Sequence, residues 1–488
     1  MPRSPLAERW KEAAVRGGPG WYSLATEDTR GVPVRLVFSP RLLEELEDGI
    51  YPQLVNATRF PGVKLVVLTP DAHIGYGVPV GSVIVTDHAS GAIALGPVGF
   101  DISCGMVAAA SAVPAEAATP ERRLEFNREV LSRVAMGAGE PSRGPFRRID
   151  RAEFERIVRG GAEYFGRAHG HPFDRDLSER GRLPVDDSWS IPWGGPGRPE
   201  RGVAQLGSLG GGNHFIELQR SRAGGTLHVQ LHTGSRGFGH GLATNYFALA
   251  RQERPEIQEL DLGYFPTASP HRAAYLNAVS AAGNFATVNR LILMESVAAA
   301  FRTTFGEDLV PIYEISHNLV QHEVHPDLGD VWVHRKGATR AFPGGHPALR
   351  GTPWAADGHP VLIPGSNRDL SFRLRPSTGA ALTAFSVNHG AGRRMSRSAA
   401  MRSLDQAATD LDYRRAGILV NADGRVPLDE SGAVYKPARE VVDAVVAAGL
   451  ASVEDELEPL ASLKASDGRA RRPPAFPGRG KGRGRPPA

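Results

Sequence analysis

Five short segments of this sequence place histidine, cysteine and carboxylate side chains next to glycine and polar residues. The chain has sixteen histidines and a single cysteine. A thiolate, a carboxylate and several imidazoles that folding brings together would form a transition-metal site, because each is a good ligand once deprotonated. A thiolate can also bridge two ions. The segments are 99–105 with Asp101 and Cys104, 207–217 with Asn213, His214 and Glu217, 228–237 with His232, 314–318 with His317 and Asn318, and 388–393 with His389.

The spacing of these segments leaves other interpretations open. The positions 104, 214, 232 and 317 match no short zinc motif, each histidine could be a hydrogen-bonded core or turn residue, and a free cysteine is often a small buried hydrophobe. The glycines at 206–212 and 390–392 could cradle a phosphate or simply form tight turns, and neither is a Walker motif. The sequence has no Gly-x-Ser-x-Gly or His-Glu-x-x-His motif, so an ordinary hydrolase is not indicated.

Composition restricts the class of protein. A lone Cys104, which cannot form an internal disulfide, predicts a protein of a reducing compartment. Charged residues stand where a signal peptide would need its apolar stretch, and no run of about 18 apolar residues occurs. We therefore expect a cytoplasmic protein that is not embedded in a membrane.

The candidate residues need strands and helices to position them. An apolar, β-branched run at 63–68 predicts a buried strand that ends near Asp71 and His73. Thr119 and Pro120 predict the start of a helix. The other predicted elements are a helix near 151–160, the longest helix at 273–301, short strands with turns through 329–384, and a helix at 439–448.

No internal repeat and no clear linker occurs before residue 465, so we predict one domain over 1–465. Its expected class is α+β, a single large mixed α/β body with central β-sheets and surrounding helices. The stretch 139–202, rich in Arg, Gly and Pro, is predicted to be a variable, peripheral region. Residues 466–488 form a basic Gly/Pro/Arg-rich segment, predicted to be a disordered arm that either neutralises phosphates or has no specific role.

Taken in order, the motifs resemble those of the RtcB family of RNA ligases from about residue 63 to residue 464. The matching segments begin at Asp71 (DAHIGYG), Gly99 (GFDISCG), Gly210 (GGGNHFIE), His232 (HTGSRGFGH), His317 (HN), Arg335 (RKGAT) and His389 (HGAGR). The resemblance implies an RtcB-like fold and an enzyme that joins RNA 3′-phosphate or 2′,3′-cyclic phosphate ends to 5′-hydroxyl ends. It implies tRNA splicing or RNA repair, with GTP and two manganese ions as cofactors and with an archease-type activator as a possible partner.

The resemblance also implies roles for individual residues. Asp101, Cys104 and His214 would hold one Mn²⁺, and Cys104, His232 and His317 the other, while His389 would accept GMP. Arg393 would contact RNA, and Asp71 and His73 would orient ligands. Contacts to GTP or GMP would come from Asn213, Glu217, Asn318, Pro364, Gly365, Ser366, Ser371, Gly390, Ala391, Gly392 and Lys464.

Two positions depart from the family pattern near the expected guanylate pocket. Asn367 stands where many members have Met, and Asn388 where Cys is common. Two other functions stay open at this point. One is a metal-dependent RNA phosphodiesterase or cyclic-phosphate hydrolase, and the other is a non-catalytic RNA-binding protein with a structural metal site.

Overall fold

The computed structural model describes residues 9–171, 173–178 and 181–465, so the basic segment predicted at 466–488 lies outside the described residues. The α-helices in these ranges are α1 (Pro40–Glu44), α2 (Ile50–Ala57), α3 (Pro120–Arg133), α4 (Arg151–His169), α5 (Arg236–Glu253), α6 (Arg272–Phe305), α7 (Arg397–Ser403), α8 (Gln406–Arg415) and α9 (Ala438–Ala447). None of them combines the length and the apolar composition that a membrane-spanning segment needs.

The strands fall along the whole described chain. The first are β1 (Ala14–Gly18), β2 (Trp21–Leu24), β3 (Val34–Val37), β4 (Val63–His73), β5 (Val80–Asp87), β6 (Ile93–Ala94), β7 (Gly105–Pro114), β8 (Ala135–Met136), β9 (Ser208–Gly210), β10 (Phe215–Ser221) and β11 (Thr226–Thr233). They are followed by β12 (Tyr264–Phe265), β13 (Val310–Ser316), β14 (Asn318–His325), β15 (Gly329–Lys336), β16 (Ala338–Arg340), β17 (Val361–Ile363), β18 (Ser371–Pro376), β19 (Ser386–Asn388), β20 (Leu419–Val420) and β21 (Ala451–Lys464).

Two large sheets organise the fold. Sheet 1 has the order β1-β2-β3-β4-β5-β15-β14, and sheet 2 has the order β13-β7-β11-β10-β21-β18-β17, with β20 beside β21. Neighbouring strands are antiparallel except β3 with β4 and, in sheet 2, β20 with β21. A mostly antiparallel arrangement with helices packed on the sheets is an α+β fold, which confirms the predicted class.

Helix α6 forms the centre of the largest apolar core. It packs against α3, α4 and α5 and touches β7 and β11 of sheet 2. The segment 139–202 contributes to the same core, because Phe154, Ile157 and Phe165 of α4 and Trp189 are buried there. Its variability stays a prediction, but its apolar side chains are part of the core.

The predicted helices and strands are present, with differences at their ends. The 273–301 pattern is α6, and Thr119 caps α3 by accepting a hydrogen bond from the backbone N–H of Arg122. The strand predicted at 63–68 continues to His73 as β4. The helix predicted at 151–160 ends where Gly161 leaves helical geometry with a φ of 59°, and a second helical stretch follows within α4 as far as His169.

Candidate active site

The predicted metal ligands lie together at one end of the strands of sheet 2. Gly105, the first residue of β7, lies opposite both Thr233 at the end of β11 and Ser316 at the end of β13. Phe215, the first residue of β10, lies opposite His232. Because neighbouring antiparallel strands alternate in direction, the residues just outside these strand ends, Cys104, His214 and His317, meet at the same edge.

The five predicted ligands form two groups that share one sulfur atom. The Cys104 Sγ lies 3.1 Å from His232 Nε2, which lies 3.1 Å from His317 Nε2. The same Sγ lies 3.3 Å from His214 Nε2, which lies 2.9 Å from Asp101 Oδ2. Within each group the ligand atoms lie within 4.8 Å of one another. Two metal ions that share a thiolate ligand would need two such groups of ligand atoms with one sulfur atom in common.

Backbone carbonyl groups set the orientation of two of the imidazoles. The Nδ1 of His214 lies 3.0 Å from the Leu209 oxygen, and the Nδ1 of His232 lies 3.1 Å from the Asn213 oxygen. A proton donated from Nδ1 leaves the Nε2 lone pair directed at Cys104. For His232 this is the tautomer that binds a metal through Nε2, whereas the Nδ1 of His214 also lies 3.1 Å from Nη1 of Arg236, which can only donate.

Burial sets the protonation of the ligands in the metal-free protein. It lowers the pKa of His232 and His317 well below the ordinary value, so these imidazoles are neutral. Burial raises the pKa of the Cys104 thiol, and the nearby Asp101 carboxylate adds to this effect. Metal binding must therefore release the thiol proton. The nitrogen, sulfur and oxygen donors fit a transition metal without selecting one.

Next to the ligands, a buried arginine connects the segments that carry them through hydrogen bonds and an ion pair. The Nη1 of Arg290 on α6 donates to the carbonyl oxygens of Ser103 at 2.8 Å and Thr233 at 2.9 Å, and the guanidinium pairs with Glu314 of β13 at 2.5 Å. Both side chains are almost fully buried, so loss of either would leave an uncompensated charge. Sequence reasoning missed this pair, although Arg290 is the one basic residue in the 273–301 pattern.

His389 is held by a carboxylate from sheet 1. Its Nδ1 lies 2.7 Å from Asp71 Oδ2, which also accepts from the backbone N–H groups of His389 at 3.0 Å and Gly390 at 3.2 Å. Gly392 allows this approach, since its φ is 75° and a Cβ there would lie 2.1 Å from the Asp71 carbonyl oxygen. With its Nδ1 proton directed at Asp71, the neutral form of His389 carries its lone pair on Nε2.

The neighbours of His389 place it beside the metal ligands. Its ring centre lies 4.9 Å from that of His317. Asp71, predicted to orient ligands, contacts His389 itself, and His73 Nδ1 lies 3.1 Å from the Asp71 carbonyl oxygen. Burial alone would raise the pKa of Asp71, but the charge and hydrogen bond of His389 outweigh it and lower that pKa.

We expect Asp71→Asn to reduce any reaction at His389 Nε2 by about 10- to 100-fold, because the amide no longer selects the tautomer that has its lone pair on Nε2. Modification of His389 by diethyl pyrocarbonate, measured against pH, gives a second readout. A buried carboxylate such as Glu323 is unsuitable as a control for Asp71→Asn, because Glu323→Gln would break a buried pair with Arg335. The exposed Asp330→Asn is the matched control and should leave the reaction unchanged.

A cavity of about 770 Å³ opens over both metal groups and His389. Among the residues predicted to bind nucleotide or RNA or to orient ligands, those that line it are His73, Asn213, Asn318, Pro364, Gly365, Gly390, Ala391, Gly392, Arg393 and Lys464. Glu217, Ser366 and Ser371 are buried and are not in its wall. Glu217 and Ser371 are linked to the wall indirectly, since Gln219 donates to Glu217 at 2.7 Å and to Ser371 at 3.0 Å, and Ser371 accepts from the Gly365 N–H.

The buried carboxylate of Glu430 pairs with three cations of the cavity wall. Glu430 pairs with Arg393 at 3.2 Å, Arg397 at 3.0 Å and Lys464 at 3.2 Å, and it accepts from the Tyr435 hydroxyl. Against the effect of burial, Lys464 and Arg397 lower the pKa of Glu430 to about 2. Arg393, Arg397 and Lys464 thus place guanidinium and ammonium donors in the cavity wall, and such groups bind phosphate. Arg397, Glu430 and Tyr435 were not predicted, because no motif joins them in the sequence.

The two departures from the family pattern are both buried near this wall. The Asn388 side chain donates to the Gly390 carbonyl oxygen at 2.7 Å, and Asn367 accepts from the Tyr413 hydroxyl at 2.6 Å. Asn388 therefore braces the turn that follows His389.

The sequence is similar to proteins of one family over most of its length. The model of the family described as "tRNA-splicing ligase RtcB" matches residues 53–465. An "RNA-splicing ligase RtcB" of Mycobacterium tuberculosis is 36% identical over 438 residues, which cover 84% of this chain and 100% of that protein. "tRNA-splicing ligase RtcB" proteins of Pyrobaculum aerophilum and Thermococcus kodakarensis are 33% and 32% identical, and each alignment covers 89% of this chain and 95% of the relative.

Proposed function

Because the chain belongs to the RtcB family of tRNA-splicing ligases, we propose that it joins RNA 3′-phosphate or 2′,3′-cyclic phosphate ends to 5′-hydroxyl ends with the use of GTP. The observation that carries the proposal is the placement of His389, whose free Nε2 faces a cavity shared with two ligand groups that meet at Cys104. RNA ends and GTP are the substrates, and tRNA splicing or RNA repair is the setting.

His389 acts as the nucleophile. Its Nε2 lone pair attacks the α-phosphorus of GTP, a nitrogen–phosphorus bond forms, and pyrophosphate leaves with the electrons of the broken phosphorus–oxygen bond. Asp71 holds the Nδ1 proton and stabilises the positive charge that develops on the ring. The GMP then passes to the RNA 3′-phosphate, which water has first released from any cyclic end. The 5′-hydroxyl attacks that activated phosphate, and GMP leaves.

The metal ligands are Asp101, Cys104 and His214 in one group and Cys104, His232 and His317 in the other, and we propose that both groups hold manganese. Bound there, the ions would polarise phosphoryl oxygens and neutralise the charge of the leaving groups.

The cations on Glu430 bind phosphate groups. Arg393, Arg397 and Lys464 line the cavity that also holds His389, and Gly390, Ala391 and Gly392 add backbone N–H groups. We propose that Arg393 contacts RNA and that Lys464 contacts GTP. The remaining predicted guanylate contacts, Asn213, Asn318 and the turn at 364–366, surround the same space or support its wall.

Glu217 gives a pH-dependent prediction for recognition of the base. Burial raises the pKa of Glu217 to about 7, whereas a carboxylate must be ionised to accept from guanine N1–H and its amino group. Guanosine affinity should therefore fall about tenfold between pH 8 and pH 6, since binding must displace a proton at the lower pH. Guanosine is the probe because it has no phosphate that titrates in this window.

The measurement is calorimetric titration of guanosine into the metal-loaded protein at both pH values. Glu217→Gln should bind more weakly and lose the dependence on pH, because its amide does not titrate. An unchanged dependence in that variant would assign the proton to another group.

The proposed function is tested by incubating the protein with α-labelled GTP and manganese, with an archease supplied in parallel, and then with RNA ends. We expect a covalent label that is labile in acid and stable in alkali, followed by joining of 3′-phosphate to 5′-hydroxyl RNA. Opening of cyclic phosphates without a label would favour the hydrolase, and RNA binding without either reaction would favour a binding protein.

A further inference from the structure

The turn between β4 and β5 presents an aromatic side chain at the mouth of the cavity. Tyr76 is 75% exposed, and within the ranges that the structure describes it is the one exposed residue among Phe, Trp and Tyr. It lines the same cavity as His389. Its neighbour Ile74 is also exposed and lies on the same wall. An exposed aromatic ring beside a reaction centre is a candidate contact for substrate.

The backbone of this turn is fixed although its side chains face outward. Gln53 donates to the Gly75 oxygen at 2.7 Å and accepts from the Gly75 N–H at 2.9 Å. Lys336 donates to the oxygens of Tyr76 at 2.8 Å and Val78 at 3.2 Å. Asn56 donates to the Gly77 oxygen at 3.0 Å. Bonds from α2 and β15 thus fix the backbone that carries the ring, which lowers the entropy cost of a contact.

Unlike the other aromatic groups of the cavity wall, the Tyr76 ring is unpartnered. Phe100 is stacked on His240 and Phe247 at 5.2 Å and 4.8 Å. Phe215 and Tyr435 both lie under the Lys464 ammonium group at 5.5 Å. Among the described residues, Tyr76 has neither a ring contact nor a hydrogen bond of its hydroxyl group.

We propose that Tyr76 is a stacking platform for an unpaired nucleobase of the RNA strand next to the reacting end. Every base has a π-face, so stacking on one ring suits a ligase that must accept ends of different sequence. The inference rests on the proposed function and adds the site that receives a base of the RNA.

The position of Tyr76 favours an RNA base over the guanine of GTP. Lys464, which is proposed to contact GTP, is only 4% exposed, whereas Tyr76 is 75% exposed. A mononucleotide can be enclosed, but a polynucleotide must leave the cavity through its mouth.

The first test compares Tyr76→Ala, Tyr76→Leu and Tyr76→Phe in single-turnover joining over a range of RNA concentrations. The Ala and Leu variants should need roughly 5- to 100-fold more RNA for half-maximal rate, whereas Phe should stay close to wild type. Val310→Ala is the control, because Val310 is exposed at the far end of β13. Labelling by GTP needs no RNA and is measured in the same variants. Equal loss of labelling and joining would assign the ring to guanine and overturn the proposal.

The second test places an abasic nucleotide at each of the first three positions of either RNA end. At the stacked position, removal of the base and Tyr76→Ala should each weaken binding, and together they should weaken it no further. Additive effects at every position would overturn the proposal. If GTP did not label the wild-type protein, that result would instead count against the proposed function. Failure of the stacking proposal and failure of the proposed function are therefore distinguishable.

Discussion

Replacing His389 by alanine should abolish covalent labelling by GTP and reduce RNA joining by about 10⁴-fold or more. The imidazole is the group whose free nitrogen faces the cavity, and its other nitrogen is committed to Asp71. Without it no nitrogen–phosphorus bond forms, so the RNA 3′-phosphate is never activated. Quantitative labelling with α-labelled GTP on a denaturing gel, together with a joining assay, measures both losses.

The matched control for this variant is His322→Ala. His322 is 43% exposed and pairs with Asp330, so its removal should leave labelling intact. Metal content should also stay unchanged in His389→Ala, because His389 belongs to neither ligand group. A variant that keeps its label would move the nucleophile to another residue and would contradict the proposed reaction.

Replacing Cys104 by alanine should reduce bound metal from two ions to nearly none. Its sulfur is common to both ligand groups, so either group loses its thiolate when the side chain is removed. Changes to outer partners of metal ligands already cost about 10- to 100-fold in affinity, and loss of a shared ligand should exceed this range. Labelling by GTP should disappear with the metal.

Single-group variants provide the comparison for Cys104. Asp101→Asn affects only the group with His214, and His317→Ala affects only the group with His232, so each should keep about one ion. Elemental analysis after dialysis measures the content. As Cys104 is the single cysteine, its reaction with a thiol reagent should be slower with metal than without it, and burial and the raised pKa of the thiol keep both rates low. Two ions retained in Cys104→Ala would show that the thiolate is not shared.

Local signals made several elements predictable. Thr119 and Pro120 mark the start of α3, and the apolar run that begins at Val63 marks β4, because caps and patterning act within a few residues. The glycine pair in α4 was a local signal as well. The φ of Gly161 is 59°, so helical geometry is interrupted where the prediction ended, and a second helical stretch that was not predicted packs Phe165 into the core.

The site residues that stand in short sequence motifs were predictable, but those that come together only in the folded chain were not. Asp101, Cys104 and His389 stand in glycine-rich segments and meet as expected, although their roles stay proposals. Arg290 and Glu430 carry no such signal. Each is a buried charge whose partners come from other segments, and only the tertiary fold brings those partners together.

The position of β21 has a consequence for how the protein is made. It is the last strand in the described residues, yet it lies between β10 and β18 in the middle of sheet 2 and ends at Lys464 in the cavity. A ribosome must therefore translate nearly all of the described chain before β10 and β18 gain their shared neighbour. A nascent or truncated copy that stops before residue 451 holds His389 and the five ligands but lacks Lys464. We therefore expect a copy that stops before residue 451 to lack both the proposed GTP contact of Lys464 and the strand that joins β10 to β18.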